Sequence, residues 1–322
     1  MPKSEHRKVF FFSFKEEMRM GFRVVMLETE QQMQIKLDNL VINRLEGDIW
    51  IPLSDISMLI IDNLMTKLTT RLLCALAEYN IGVVICDASH HPKGYYGAYD
   101  IHSRISKNIG YQIKMSQQDY DWLWQNIIET KIQNQMQVLQ MYDKDQNVIE
   151  KMQQLCQELE VGDPYNREGM AAKIYFEALM GEGFTRSNEN LLMNSGLDYG
   201  YAIIRSYLAK LTVGYGLNTQ LGIHHRNEYN RFNLVDDLME PFRPILDAYA
   251  YILFHQEQFF TQSHRRNLVN FLNHKIKYRG QTMYLCNVME EYVEQVAAYI
   301  TGRRTNIVFP ETALYMGLED EI

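Results

Sequence analysis

Cysteine is scarce: Cys74, Cys86, Cys156 and Cys286 are the four in 322 residues, and none forms a C-x-x-C pair. That excludes a thiolate zinc knuckle or a disulfide framework and suits a reducing cytoplasm. No apolar run approaches the roughly 20 residues that span a bilayer, so no membrane association is expected. The aromatic run at 10–12 follows basic residues, but it is short and meets Lys15, Glu16 and Glu17 without a small-residue cleavage site. It is therefore not read as a signal peptide. The chain has no G-x-x-x-x-G-K-[ST], which removes the P-loop hydrolases, and no convincing Ser-His-Asp or Cys-His relay. Internal repeats and low-complexity linkers are also missing. Positive charge is in deficit, with a formal net of −8. A chain that touches nucleic acid over its whole surface is usually basic, so charge weighs mildly against that partner. Screening over about 8–10 Å still leaves room for a local cationic groove. Part of the acidity sits at 318–322, read as a solvated tail.

What is present is a folding composition, 46% hydrophobic and 22% charged, in a length that suits one large or two ordinary domains. Residues 1–20 show no period and are treated as an N-terminal extension. From Phe22 short apolar segments alternate with polar turns, at 23–27, 33–37, 40–42, 50–53 and 58–61. Gln34 and Lys36 interleave with apolar neighbours as in a half-exposed strand. Turns are expected at Asp38-Asn39 and at 46–48. Leu68, Leu72, Leu73 and Leu76 carry helical spacing, 82–86 reads as a buried strand, and 90–97 as a loop. Beyond about 105 the texture is long helix, from Asp119 to Met141 and again from Val148 to Leu159, with Gln-rich faces read as exposed. The expected fold class is α+β: a small N-terminal β-rich domain (21–105) followed by a larger all-α catalytic domain (106–322).

Three helical-domain segments carry candidate chemistry. The first holds Asn166, a potential N-cap, with Glu168 in the following turn. An acid there is explained by the helix macrodipole alone, worth about 0.3–1 kcal/mol. The second, 188–205, is an Asn-, Ser- and Gly-rich approach to a helix capped by Asn194, Ser195 or Asp198. Its alternative reading is a polar platform with Arg205 turned towards phosphate. The third, 221–244, packs His224 and His225, three asparagines, and Asp236, Asp237 and Glu240 into one span. Asp237 and Glu240 are three apart and share a face if helical. Carboxylates with an imidazole suit a hard divalent ion better than a thiolate metal. Asp237-x-x-Glu240 also reads as a capping box, with Pro241 in a first turn, and the histidines as plain loop residues.

Taken together the segments resemble one family. Asn166-Arg167-Glu168-Gly169-x-Ala171-Ala172-x-x-Tyr175-Phe176 comes first. Asn194-x-Gly196-Leu197-Asp198-Tyr199-Gly200-Tyr201 follows, then His225-x-Asn227-x-x-Asn230-x-Phe232-Asn233, and last Asp237-Leu238-Met239-Glu240-Pro241-Phe242-Arg243-Pro244. In this order they resemble the CRISPR-associated spacer-acquisition integrases, most of all the type II branch. The resemblance extends from about Gly21 to near the C-terminus, and residues 1–20 have no counterpart in it.

The resemblance implies metal ligation by Glu168, His225 and Glu240, with Asp237 as a fourth candidate and His224 less favoured than His225. It implies Mg²⁺ or Mn²⁺ and attack by the 3′-hydroxyl of a DNA fragment on a phosphodiester at the edge of a CRISPR repeat. The DNA substrates would be double-stranded spacer precursor and repeat. Arg167, Lys173, Arg205 and Arg243 are the candidate phosphate contacts, although Arg243 could instead brace a ligand carboxylate. The implied partners are a second copy through the β-rich domain, a small ferredoxin-like CRISPR-associated protein bridging two dimers, and the RNA-guided effector nuclease. Two rival readings are a metal phosphohydrolase or nuclease that uses water, and a non-catalytic helical scaffold that binds DNA.

Overall fold

In the computed structural model residues 9–11, 23–44, 47–99, 102–188 and 191–311 are described. Most of the extension, the turn residue Glu46, the motif residues Glu189 and Asn190 and the acidic tail lie outside them. Two compact units divide the chain, Met1–Ser103 and Arg104–Ile322.

In the first unit a five-stranded sheet has the order β1-β2-β6-β8-β9 and a four-stranded one the order β5-β4-β3-β7. The strands are β1 (Val9–Phe11), β2 (Arg23–Leu27), β3 (Gln32–Lys36), β4 (Asn39–Asn43), β5 (Ile49–Pro52), β6 (Ile56–Ile61), β7 (Lys67–Leu68), β8 (Gly82–Cys86) and β9 (Pro92–Tyr96). β1 places three residues of the stretch read as an extension against β2. β6 runs parallel to both β2 and β8 and is buried at all six positions. A continuous apolar run is what such a two-sided strand requires. Helix α1 (Thr70–Glu78) connects β6 to β8 and buries Leu72 and Leu76, with Thr69 accepting from the Leu72 amide at 3.2 Å.

Two local readings needed correction. The expected loop at 90–97 is strand over Pro92–Tyr96, antiparallel to β8. Its Pro and Gly are tolerated because β9 is an edge strand. The β3–β4 turn falls on Leu37 and Asp38 (φ 46° and 56°), one residue earlier than Asp38-Asn39. Both central residues take the left-handed conformation that a two-residue hairpin demands.

The second unit is built on α3 (Gln117–Met141), about 37 Å long at 1.5 Å per residue. Around it lie α2 (Ile105–Lys114), α4 (Gln146–Gln157), α5 (Arg167–Met180), α6 (Leu192–Gly214), α7 (Asn233–Met239), α8 (Arg243–Phe254), α9 (Gln262–Asn270) and α10 (Leu285–Ile300). A short 3-10 turn, Glu240–Phe242, joins α7 to α8. The unit is not all helix: Lys275–Tyr278 (β10) and Gln281–Tyr284 (β11) form a hairpin across Arg279-Gly280, both at positive φ. Nor are the polar residues of α3 all on its surface. Lys131, Asn134 and Gln135 are buried on the face that also carries Ile127, Ile128 and Val138. The glycines of the second motif serve packing, since a Cβ on Gly196 would lie 2.2 Å from Phe254 and one on Gly200 2.7 Å from Leu246. They let α6 approach α8 closely.

Candidate active site

Glu168 stands in the first turn of α5, whose open amides already have acceptors. Asp163 takes the Arg167 amide at 2.7 Å and the Glu168 amide at 2.9 Å, and the Asn166 side chain caps Gly169 at 3.3 Å. The Glu168 carboxylate is therefore not needed as a cap. It turns instead to α3, where its Oε1 binds the Lys131 ammonium.

Glu240 reaches the same ammonium from the corner between α7 and α8, with Oε2 at 2.5 Å from Lys131 Nζ. Burial would lift the Glu240 carboxyl, but Arg243, Lys131 and His225 outweigh it and hold it down at about 2. Its Oε2 has the Lys131 ammonium as its partner. Burial pushes Lys131 down, but Glu240 and Glu168 push it up further, so the ammonium stays charged.

Asp237 does something else. It is fully buried inside α7 and accepts from the amides of Ile223 (2.5 Å), His224 (3.1 Å) and His225 (3.2 Å) and from His225 Nδ1 (2.6 Å). As placed, its lone pairs face the histidine loop. The bond to Asp237 raises the His225 imidazole above its ordinary value against the opposing effect of burial, with Glu240 adding to the rise. Since Nδ1 is engaged, Nε2 is the nitrogen left for other work. His224 is exposed and stacks on Trp124 of α3, centroids 4.2 Å apart and planes 3° from parallel.

Gly222 makes the return of this loop possible. A Cβ there would stand 2.2 Å from the His225 carbonyl and 3.0 Å from Asp237 Oδ2. Gly222→Ala is expected to cost about 1–3 kcal/mol in urea unfolding and to loosen His225 from Asp237. The three asparagines brace the same loop. Asn233 donates to the carbonyls of Asn227 (2.9 Å) and Gln220 (3.2 Å), and Asn230 donates to Asp236 at 2.7 Å. They hold out Arg226, Tyr229 and Arg231, all exposed.

Behind Glu240, the Arg243 guanidinium donates from Nε to Oε1 at 2.9 Å and lies over the Tyr201 ring at 4.7 Å. Tyr201 donates to the buried Asp247. Burial is the main cause that lifts the Asp247 carboxyl, to about 6. A raised folded-state carboxyl means the native chain holds a proton that the unfolded chain has lost. Stability contributed by Asp247 is thus greatest below about pH 4 and declines as pH rises to about 6. Asp247→Asn, which keeps an acceptor for Tyr201, is expected to flatten that decline in unfolding measurements across pH 4–7.

The expected phosphate contacts are scattered. Arg205 is 42% exposed at its side chain and pairs with Asp236 at 2.7 Å, Arg167 pairs with Glu158 at 2.7 Å, and Lys173 is exposed. Asn194, expected as a cap, is buried within α6 and ties the preceding loop by donating to the Thr185 and Asn188 carbonyls, each at 2.8 Å. α6 has no side-chain cap. Lys131 stands out only in the structure, although Trp124, Ile128, Lys131 and Gln135 follow one helical face. Among the described residues no three His, Cys, Asp or Glu side chains stand close enough to enclose a metal ion as placed, and Lys131 fills the space between Glu168 and Glu240. All four cysteines are free, and no described helix is long and apolar enough to cross a membrane.

A β-rich unit followed by a helical one defines an architecture shared with known proteins. A family model described as CRISPR associated protein Cas1 matches residues 24–282. The chain belongs to that family. It is 32% identical over 287 residues to the CRISPR-associated endonuclease Cas1 of Neisseria meningitidis serogroup C (strain 8013), covering 88% of this chain and 94% of that protein. The match to CRISPR-associated endonuclease Cas1 1 of Francisella tularensis subsp. novicida (strain U112) is 26% identical and covers 55% of this chain and 64% of the other. Among solved structures, a casposase bound to integration product superposes with TM-score 0.72 at 18% identity, over 93% of this chain and 95% of that one. A chain of a Cas6-RT-Cas1--Cas2 complex gives 0.73 at 20% identity, over 94% of this chain and 37% of its own length.

Proposed function

We propose that this protein is the DNA integrase of CRISPR adaptation on the type II side of the family, joining the 3′-hydroxyl of a short DNA fragment to a phosphodiester at a repeat edge. One observation carries the reading: carboxylates from α5 and from the α7–α8 corner meet one cation, the Lys131 ammonium. The donor chemistry fits a hard divalent ion. Glu240 Oε2 is buried and already touches a positive charge. Glu168, Glu240 and His225 Nε2 would hold Mg²⁺ or Mn²⁺, which when bound supplies Lewis-acid polarisation of the scissile phosphate and neutralises charge in the in-line displacement.

The remaining residues position this set. Asp237 fixes the tautomer and orientation of His225, as carboxylates behind metal-binding imidazoles do. Arg243 fixes one oxygen of Glu240 and leaves the other to face the site. Lys173, exposed and with no ion pair among the described residues, is the first proposed phosphate contact. Arg205 and Arg167 each hold an acidic partner, Asp236 and Glu158, that phosphate would have to displace. The nucleophile belongs to DNA, so no activated serine or cysteine is required.

The family resemblance supports a homodimer through the β-rich unit, a small ferredoxin-like partner bridging two dimers and a cytoplasmic setting. It also supports collaboration with the RNA-guided nuclease. The test is incubation with supercoiled DNA carrying a CRISPR repeat and a short duplex donor, with Mn²⁺. Covalent donor–repeat products that vanish when the donor 3′-hydroxyl is removed are expected. Nicking without joined product would favour a hydrolytic nuclease.

A further inference from the structure

Lys131 has no part in the chemistry above, yet its position is demanding. A lysine in a long helix ordinarily extends to water, and burying its ammonium is costly unless it is paired. Here the side chain is 9% exposed and its nitrogen is shared between Glu168 Oε1 and Glu240 Oε2, the oxygens that face the site. Arg243 already neutralises the other Glu240 oxygen. Without Lys131, two carboxylates would therefore face each other with a single guanidinium to offset them, an arrangement that like-charge repulsion and desolvation both oppose.

We infer that Lys131 is a built-in counter-ion: its ammonium holds Glu168 and Glu240 together in the metal-free protein and must leave that place before the same oxygens bind a divalent ion. The inference rests on the reading of Glu168 and Glu240 as ligands. One feature of the contact suits a removable occupant: the Glu168 side is open, its side chain 29% exposed, and the four-carbon lysine stem can swing that way. A site occluded in this fashion binds its ion with an affinity reduced by the fraction of molecules in which the ammonium is out of the way. Lys131 is thus a positioning residue for the empty site and a competitor for its ligand.

The test uses the full chain and Mn²⁺ alone, by calorimetric titration and thermal melting. Lys131→Met is expected to bind Mn²⁺ at least about tenfold more tightly than the wild type. Its metal-free melting temperature should fall on the order of 5–10 °C, with a larger Mn²⁺-induced rise. Lys131→Arg keeps the charge and should show neither gain in affinity nor a comparable fall. If Lys131→Met needs metal to fold, recovery with Mn²⁺ but not with sodium salt of equal ionic strength supports the inference, and no recovery overturns it. Unchanged or weaker Mn²⁺ binding by Lys131→Met, while Glu168→Gln abolishes binding, overturns the counter-ion role and leaves the ligand reading standing. Wild-type Mn²⁺ binding by Glu168→Gln and Glu240→Gln would remove the ligand reading and the inference together.

Discussion

Glu168→Gln is expected to reduce joining of a donor duplex to repeat DNA by about 10³-fold or more, while folding and DNA binding stay near wild type. The scale is that of losing a preorganised charge aimed at a reacting phosphate. The geometry explains why folding is spared. Asp163 and Asn166 already satisfy the first amides of α5, so the carboxylate adds to the helix start only through the dipole, a few tenths of a kcal/mol. Glu240 still pairs the Lys131 ammonium when the Glu168 charge is gone. Glutamine keeps the shape and a carbonyl oxygen for Lys131 but loses the charge a cation site needs. Quantitative strand-transfer assays beside anisotropy measurements of DNA affinity separate the two effects. A variant that joins DNA at the wild-type rate would leave Glu168 as a helix-start acid and nothing more.

Asp237→Ala should do more damage of a different kind. Three backbone amides and an imidazole N–H converge on that carboxylate inside the protein. Each buried donor stripped of its acceptor costs about 1–3 kcal/mol. A loss on the order of 3–5 kcal/mol in denaturant unfolding is expected, together with loss of joining. His225→Ala should lose joining with much smaller loss of stability, because its side chain is 43% exposed. If Asp237 were a ligand instead of an anchor, the two variants would share a profile: inactive, with stability intact.

The contrast between these residues marks how far the sequence could be read. The resemblance offered Glu168, His225 and Glu240 as the ligand set, and the cap at Asn166 was legible from its residue type. The choice of His225 over His224 came from resemblance. Its physical basis is three-dimensional: Asp237 engages one ring of the pair, and Trp124 stacks on the other. The spacing of Asp237 and Glu240 suggested a common face, but α7 gives way to a 3-10 turn at Glu240 and the two carboxylates take different work. Lys131 was hidden by composition. Among the glutamines and asparagines of α3 it looked like a solvated side chain, although its helical register matched the buried face. The β-rich first unit was legible from alternating apolar residues. The β9 edge was not, because Pro92 and Gly94 weaken strand propensity and pairing with β8 overrides it. The β10–β11 hairpin was masked by the surrounding helices, despite the turn signal at Arg279-Gly280.

The central claim is that Glu168, Glu240 and His225 grip one divalent ion. Crystals of the wild-type protein soaked in Mn²⁺ and measured for anomalous scattering test it directly. The account predicts one peak at about 2.1–2.2 Å from a Glu168 oxygen, a Glu240 oxygen and His225 Nε2, with the Lys131 ammonium displaced. A peak bound elsewhere, or separate peaks on Glu168 and Glu240, would contradict it.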